Sequence, residues 1–182
     1  MYETSRLILR PWQDKDIAPF AQMGQDHQVM EYFPKLLNKD ESISMIERMK
    51  ARFNQYGFCF YACELKQDQS FIGFIGLNVP TFSAPFTPCV EIGWRIASPY
   101  WGNGYATEGA LKCLEIGFNQ FKLKEIVSIA VKDNLKSIHV MEKIGMQRDY
   151  SGDFLHPLLP ESNKLAPHIL YRMQEQHFSR KK

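Results

Sequence analysis

No apolar run in the 182-residue sequence approaches the 18 or more residues that a membrane-crossing helix requires. The opening MYETSRLILRPW lacks the charged-then-apolar layout of a secretory signal. A cytoplasmic protein with no membrane partner is therefore expected. Excess charge is equally scarce. Twenty-two Lys and Arg against 20 Asp and Glu leave +2, dispersed along the chain, so no nucleic-acid partner is expected. Internal repeats, low-complexity tracts and linkers are absent too, although the final SRKK is expected to fray. At 45% hydrophobic residues, the chain reads as a single domain over 1–182, with its core from about 5 to 175.

Cysteine is sparse, and its spacing excludes a framework. Cys59 and Cys63 lie in FCFYACEL, which reads as a strand. Four strand steps separate them by about 13 Å. That exceeds the roughly 7 Å limit for a disulfide. It is also too far for two thiolates to share a zinc at about 2.3 Å. Cys59, Cys63, Cys89 and Cys113 are expected to be reduced, structural residues in a reducing compartment, and no metal is expected.

What is present is a run of strand and helix signals. RLILR alternates as a half-buried strand from Arg6 to Arg10, which Pro11 stops. Asp14 is expected to cap a helix to about Met23. Asn38 or Asp40 caps a second, with Ile43, Ile46, Met49 and Phe53 at helical spacing. HQVMEYFPKLL between them reads as a loop. Phe58 to Leu65 and Ser70 to Leu77, joined by KQDQ, read as an antiparallel hairpin, and the proline-rich Val79 to Pro88 as irregular. The strand VEIGWRIA then enters SPYWGNG and a long helix burying Ala110, Cys113, Leu114 and Phe118. Strand EIVSIAV and a helix from Leu135 to Ile144, closed by Gly145, follow. A short strand at Met146 to Tyr150, a loop from Gly152 to Pro167 and a last strand HILYRM complete an α+β domain with a mixed sheet.

The turn WGNGYA, from Trp101 to Ala106, joins a strand to a helix through two glycines one residue apart. Glycine permits strained backbone angles and close approach of a ligand, while the bare amides and dipole of a helix start attract an anion. A plain turn with a helix cap is the alternative. A nicotinamide site is not expected: Thr107 stands at the third glycine position of GxGxxG, and the preceding strands form a hairpin. The nucleotide-triphosphate loop GxxxxGK has no match either.

Three stretches, TSRLILRPW, EIGWRIASPYWGNGYATEGA and VKDNLKSIHVMEKIGM, with HILYRM closing the sheet, resemble the GNAT superfamily of acetyltransferases, specifically its RimJ/RimL-type branch. The resemblance covers nearly the whole chain. It implies a mostly antiparallel central sheet flanked by helices. The superfamily's cofactor motif has Arg or Gln, two variable residues, Gly, one variable residue, then Gly or Ala. Here it runs from Trp101 through Gly104 to Ala106, the aromatic Trp101 being usual for that branch.

The resemblance implies acetyl-CoA as acetyl donor, its pyrophosphate on the amides of Gly102, Asn103, Gly104, Tyr105 and Ala106. Its pantetheine would run along backbone groups near Trp94 and Ile96, as an added strand does. Asn134 and Ser137 match the branch's cofactor and acid positions, although both also suit capping of their helix. Glu91 is the candidate base, directly or through water, or else a carboxylate that only pairs with a neighbour. Tyr32, Phe33, Phe154 and His156 are candidate acceptor-side residues, with aromatic core packing the alternative. Glu108 reads as structural. None of His139, His156 and His168 is assigned a catalytic role. The expected activity is direct acetyl transfer in a ternary complex to an amine, the N-terminal α-amine of a protein first. A small-molecule amine (amino acid, polyamine or aminoglycoside) and a non-catalytic CoA-binding module are the alternatives. A monomer or homodimer is expected.

Overall fold

The computed structural model describes residues 1–179, so the end of the SRKK tail lies outside the described residues. Leu7 and Leu9 are fully buried on one face of β2 (Leu7–Arg10). Ahead of it, β1 (Tyr2–Glu3) pairs Tyr2 with Leu9, a strand too short to leave a periodic signal. Pro11 ends β2, and a single 3-10 turn over Asp14–Asp16 leads into α1 (Ile17–Gly24). Asp14 is not the expected cap: its carboxylate reaches Lys50 at 3.3 Å. Asp16 instead gathers the turn, accepting the Gln13 amide at 2.8 Å and the Arg10 guanidinium at 2.7 Å.

Asn38, not Asp40, caps α2 (Lys39–Tyr56). Its Oδ1 accepts the Glu41 amide at 2.9 Å while Glu41 Oε2 accepts the Asn38 amide at 2.9 Å. This reciprocal pair satisfies two donors that the helix start leaves open. The hairpin forms as β3 (Phe60–Leu65) and β4 (Phe71–Asn78), its register shifting between Cys63 and Glu64. β5 (Glu91–Ile96) pairs antiparallel with β4. α3 (Tyr105–Asn119) buries Ala110, Cys113, Leu114 and Phe118, as its periodicity predicts. β6 (Glu125–Val131) and α4 (Leu135–Lys143) follow.

β7 (Gln147–Leu155) runs past the expected end at Tyr150 and takes in residues assigned to a loop. The cause is a bulge. The register shifts between Asp149 and Phe154, and the Asp149 carboxylate accepts the amides of Ser151 and Gly152 at 3.1 and 3.2 Å. A polar, glycine-bearing bulge reads as a loop because its alternation is broken. β8 (Pro167–Gln174) and α5 (Glu175–Ser179) close the described chain.

The eight strands form one sheet in the order β1-β2-β3-β4-β5-β6-β8-β7, antiparallel at every join except β5 with β6. α3 lies on one face, where a Cβ on Gly109 would meet the Ile75 side chain. α1 lies on the other, where the rings of Phe20 and Phe74 are 6.1 Å apart. Full burial of each such side chain contributes about 1.5–3 kcal/mol. Among the described residues no helix is long and apolar enough to cross a membrane. All four cysteines are free.

Candidate active site

Residues paired across adjacent strands share a face of the sheet. The register of Ile75 with Trp94 and Leu77 with Ile92 therefore turns Ile92, Trp94 and Ile96 toward α3. Phe74 with Arg95 and Asn78 with Glu91 turns Glu91 and Arg95 toward α1. Two chemistries thus alternate along one strand.

β5 and β6 are joined only near the start of β5. Glu91 is opposite Val127, the Val127 amide donates to Val90 O at 2.9 Å, and Ser128 Oγ donates to Ile92 O at 3.0 Å. Beyond Ile92 no ladder connects the strands, while β6 stays paired with β8 throughout. The carbonyls of Val90 and Ile92 point at β6. By the alternation of the pleat, the peptide groups of Trp94 and Ile96 do so too, into the gap. The Ile96 carbonyl is already taken, accepting Trp101 Nε1–H at 2.7 Å. Trp94 and the Ile96 amide are left as the backbone edge that an extended chain could pair with.

That indole bond also fixes the turn after β5. Gly102 and Gly104 both have φ of 79°, the left-handed region that a side chain disfavours. A Cβ on Gly102 would meet nothing within 4 Å, so the backbone is open to solvent there. Gly104 begins α3 without a side-chain cap, and the first bond of the helix runs from the Glu108 amide to Gly104 O at 3.0 Å. The amides from Gly102 to Thr107 have no acceptor among the described residues. Asn103 turns its own amide side chain back to Tyr100 O and Trp101 O, at 3.2 and 3.1 Å. Arg6 and Lys136 flank the turn, 4.6 Å over the Tyr105 ring and 4.0 Å over the Trp101 ring. Bare amides at a helix start between two cations can hold an anion. Glu108 does not oppose it. Burial pushes its carboxyl up, but donors from Thr4 and Arg6 outweigh burial and hold it low, with Arg6 Nε at 2.6 Å.

On the α1 face, Glu91 is half-buried, and its one hydrogen bond among the described residues comes from Asn78 Nδ2 at 2.8 Å. Burial raises its carboxyl to about 7, with Asn78 pulling the other way. A carboxylate poised there can take a proton at neutral pH. Asn134 caps α4, its Oδ1 accepting the Ser137 amide at 3.1 Å. No hydrogen bond links Ser137 to Glu91.

The four acceptor-side candidates fall into two clusters. Tyr32 and Phe33 belong to residues 25–38, which bridge the end of the gap. Tyr32 Oη donates to Asp133 O at 3.1 Å, Asp26 accepts from Ser98 Oγ, and the Phe33 ring lies 3.8 Å from Arg95 Cζ. Phe154 and His156 join Phe82, Phe86 and His168 instead. Phe82 is 4.7 Å from His156, Phe86 4.9 Å from Phe154, and the two imidazoles are 4.9 Å apart. Burial pulls both histidines below their ordinary value. Phe82 and Phe86 were missed by the sequence reading because their proline-rich segment has no period, and Asn78 because its role depends on strand register. Arg95 was missed as well. It is only 7% exposed, with no ion pair among the described residues, and burial lowers its pKa to about 10.

The family model for an acetyltransferase (GNAT) domain matches residues 6–147. YkkB of Bacillus subtilis, of uncharacterised function, is 35% identical over 144 residues, covering 79% of this chain and 83% of that protein. The uncharacterised N-acetyltransferase YnaD of the same organism is 28% identical over 177 residues, covering 97% and 98%. The crystal structure of a GNAT-family acetyltransferase from Bacillus anthracis superposes with a TM-score of 0.78 at 26% identity, covering 96% of this chain and 98% of that one. The opened sheet, the glycine turn and a family match over most of the chain converge: this protein belongs to the GNAT family and is an acetyltransferase.

Proposed function

We propose that this enzyme transfers acetyl from acetyl-CoA to an N-terminal α-amine of a protein or peptide, in the manner of the RimJ/RimL-type branch, with Glu91 as the base. The residues present fit acetyl-CoA: an amide cradle free of side chains at Gly102, and the bare peptide groups of Trp94 with the Ile96 amide in the gap. Acetyl-CoA supplies an activated thioester. The protein's own part is to hold that thioester beside β5, orient the amine and remove its proton.

The observation that carries the reading is the Glu91 carboxyl near 7, with Asn78 its one side-chain hydrogen-bond partner among the described residues. An α-amine with a pKa of about 7.7–8.0 already offers a neutral fraction at pH 7, whereas a lysine near 10.4 offers almost none. A base near 7 matches the first task better than the second. A polyamine is disfavoured because a polycation on this face would meet the Arg95 guanidinium. Reduced cysteines accord with a cytoplasmic setting.

Thiol release from acetyl-CoA should be compared for peptides beginning with Ala, Ser, Met or Thr and for spermidine. The expected result is a kcat/KM at least tenfold higher for one or more peptides. Equal or better use of spermidine would overturn the acceptor, and release indifferent to every amine would overturn transfer.

A further inference from the structure

Two arginines are buried beneath this sheet, and they are treated in opposite ways. Arg10 is 5% exposed, and its guanidinium is clamped by the carboxylates of Asp16 and Glu64. Arg95 is 7% exposed and meets no carboxylate among the described residues. Its Nε and Nη1 are buried with no hydrogen-bond partner among the described residues. Two aromatic rings lie against it, Phe33 at 3.8 Å from Cζ and Phe74 at 5.3 Å. Cation–π contact returns less than it costs to bury a charge. Buried N–H donors left unpaired add a further cost, so their persistence calls for an explanation.

The position supplies one. Arg95 and Glu91 lie four residues apart on the same face of β5, a Cα separation of about 13 Å that the long arginine side chain can narrow. Phe33, the ring stacked on Arg95, comes from the segment that spans the end of the gap. The cofactor's phosphates are not the natural partner. Their cradle lies beyond the end of β5 at the start of α3, flanked by Arg6 and Lys136. Arg95 faces α1.

We propose that Arg95 is a specificity-determining residue that binds a carboxylate carried by the acceptor, so that the enzyme selects amines bearing an acid group near the nitrogen. This rests on the reading of Glu91 as the base on the acceptor side. Arg95 donates two parallel N–H bonds to the carboxylate, and Phe33 and Phe74 exclude water from the pair. The carboxylate has two possible sources: the α-carboxylate of a free amino acid, or an acidic side chain next to a peptide N-terminus.

Product binding to the enzyme saturated with CoA tests this without turnover. Calorimetry should compare N-acetylalanine with N-acetylalaninamide, and N-acetyl-Ala-Asp-amide with N-acetyl-Ala-Asn-amide. At least one acid is expected to bind tenfold or more tighter than its amide. A preference in the first pair assigns the carboxylate to an amino acid, and in the second to a peptide. Arg95→Met is expected to erase the preference and Arg95→Lys to keep part of it, with CoA affinity reporting that each variant is folded. Equal affinities within both pairs for the unaltered enzyme overturn the proposal even if Arg95→Met does not fold, as does a preference that survives in Arg95→Met. A preserved acid preference without any acetyl transfer would sink the proposed reaction and leave the carboxylate site standing.

Discussion

Asn78 donates its Nδ2–H to Glu91 Oε1 at 2.8 Å across the β4–β5 pair. Burial drives the Glu91 carboxyl up to about 7, and this donor restrains the rise. Deleting the donor in Asn78→Leu should move the acid limb of the kcat/KM profile to higher pH by roughly half to one unit, the scale expected of one lost hydrogen bond to the charged form. A limb that stays in place would show that Asn78 does not tune the group controlling the rate.

Glu91→Gln should remove that limb and lower kcat/KM by roughly 10²–10⁴, the range for loss of a positioned base. It should also stabilise the fold at neutral pH. Folded Glu91 titrates near 7 against an ordinary 4.5, so the native state holds the extra proton between these values, and stability falls as pH rises through them. Glu91→Gln lifts that penalty, gaining roughly 1–3 kcal/mol at pH 8 and little below pH 4.5. Urea unfolding at the two pH values measures it. An unchanged pH profile of activity would pass the proton to water or to the substrate's own ionisation.

Gly104→Val places a branched side chain at φ 79° in the middle of the cradle. The backbone strain should cost about 1–3 kcal/mol of stability. The same change should weaken CoA binding tenfold or more by calorimetry. Full CoA affinity in a folded Gly104→Val protein would refute the amide cradle.

The fold was legible where periodicity is strong. Leu7 and Leu9, the helical face of α3, and the β3–β4 hairpin all stand where alternation or 3.6-residue spacing puts them. The glycine turn was legible because two glycines between a strand and a helix restrict the backbone whatever surrounds them. What escaped depends on contacts across the chain. The extension of β7 is set by Asp149 collecting amides, and the helix start at α1 by Asp16 serving Arg10. Asn78 and Arg95 gain meaning only from the register that faces them with Glu91 and Phe74. The capping of α4 by Asn134 was among the alternatives, and spacing alone could not choose between capping and contact with a cofactor.

The two buried arginines make a further contrast. Arg10→Met strands the buried Asp16 without its cation and leaves Glu64 with Lys15 alone, at 2.6 Å, and should cost about 3–5 kcal/mol. Arg95→Met removes a charge with no carboxylate partner and should be neutral or stabilising. Equal destabilisation of the two variants in thermal unfolding would mean that Phe33 and Phe74 alone justify the Arg95 guanidinium as part of the core.

Bare main-chain amides at the start of α3, continued by the open edge of β5, are the groups proposed to grip coenzyme A. Amide-resolved NMR during titration with CoA addresses it directly. Large shifts and new exchange protection are expected at Gly102, Asn103, Gly104, Tyr105 and Ala106, with Trp94 and Ile96 following. Saturable CoA binding that leaves those amides unmoved would contradict it.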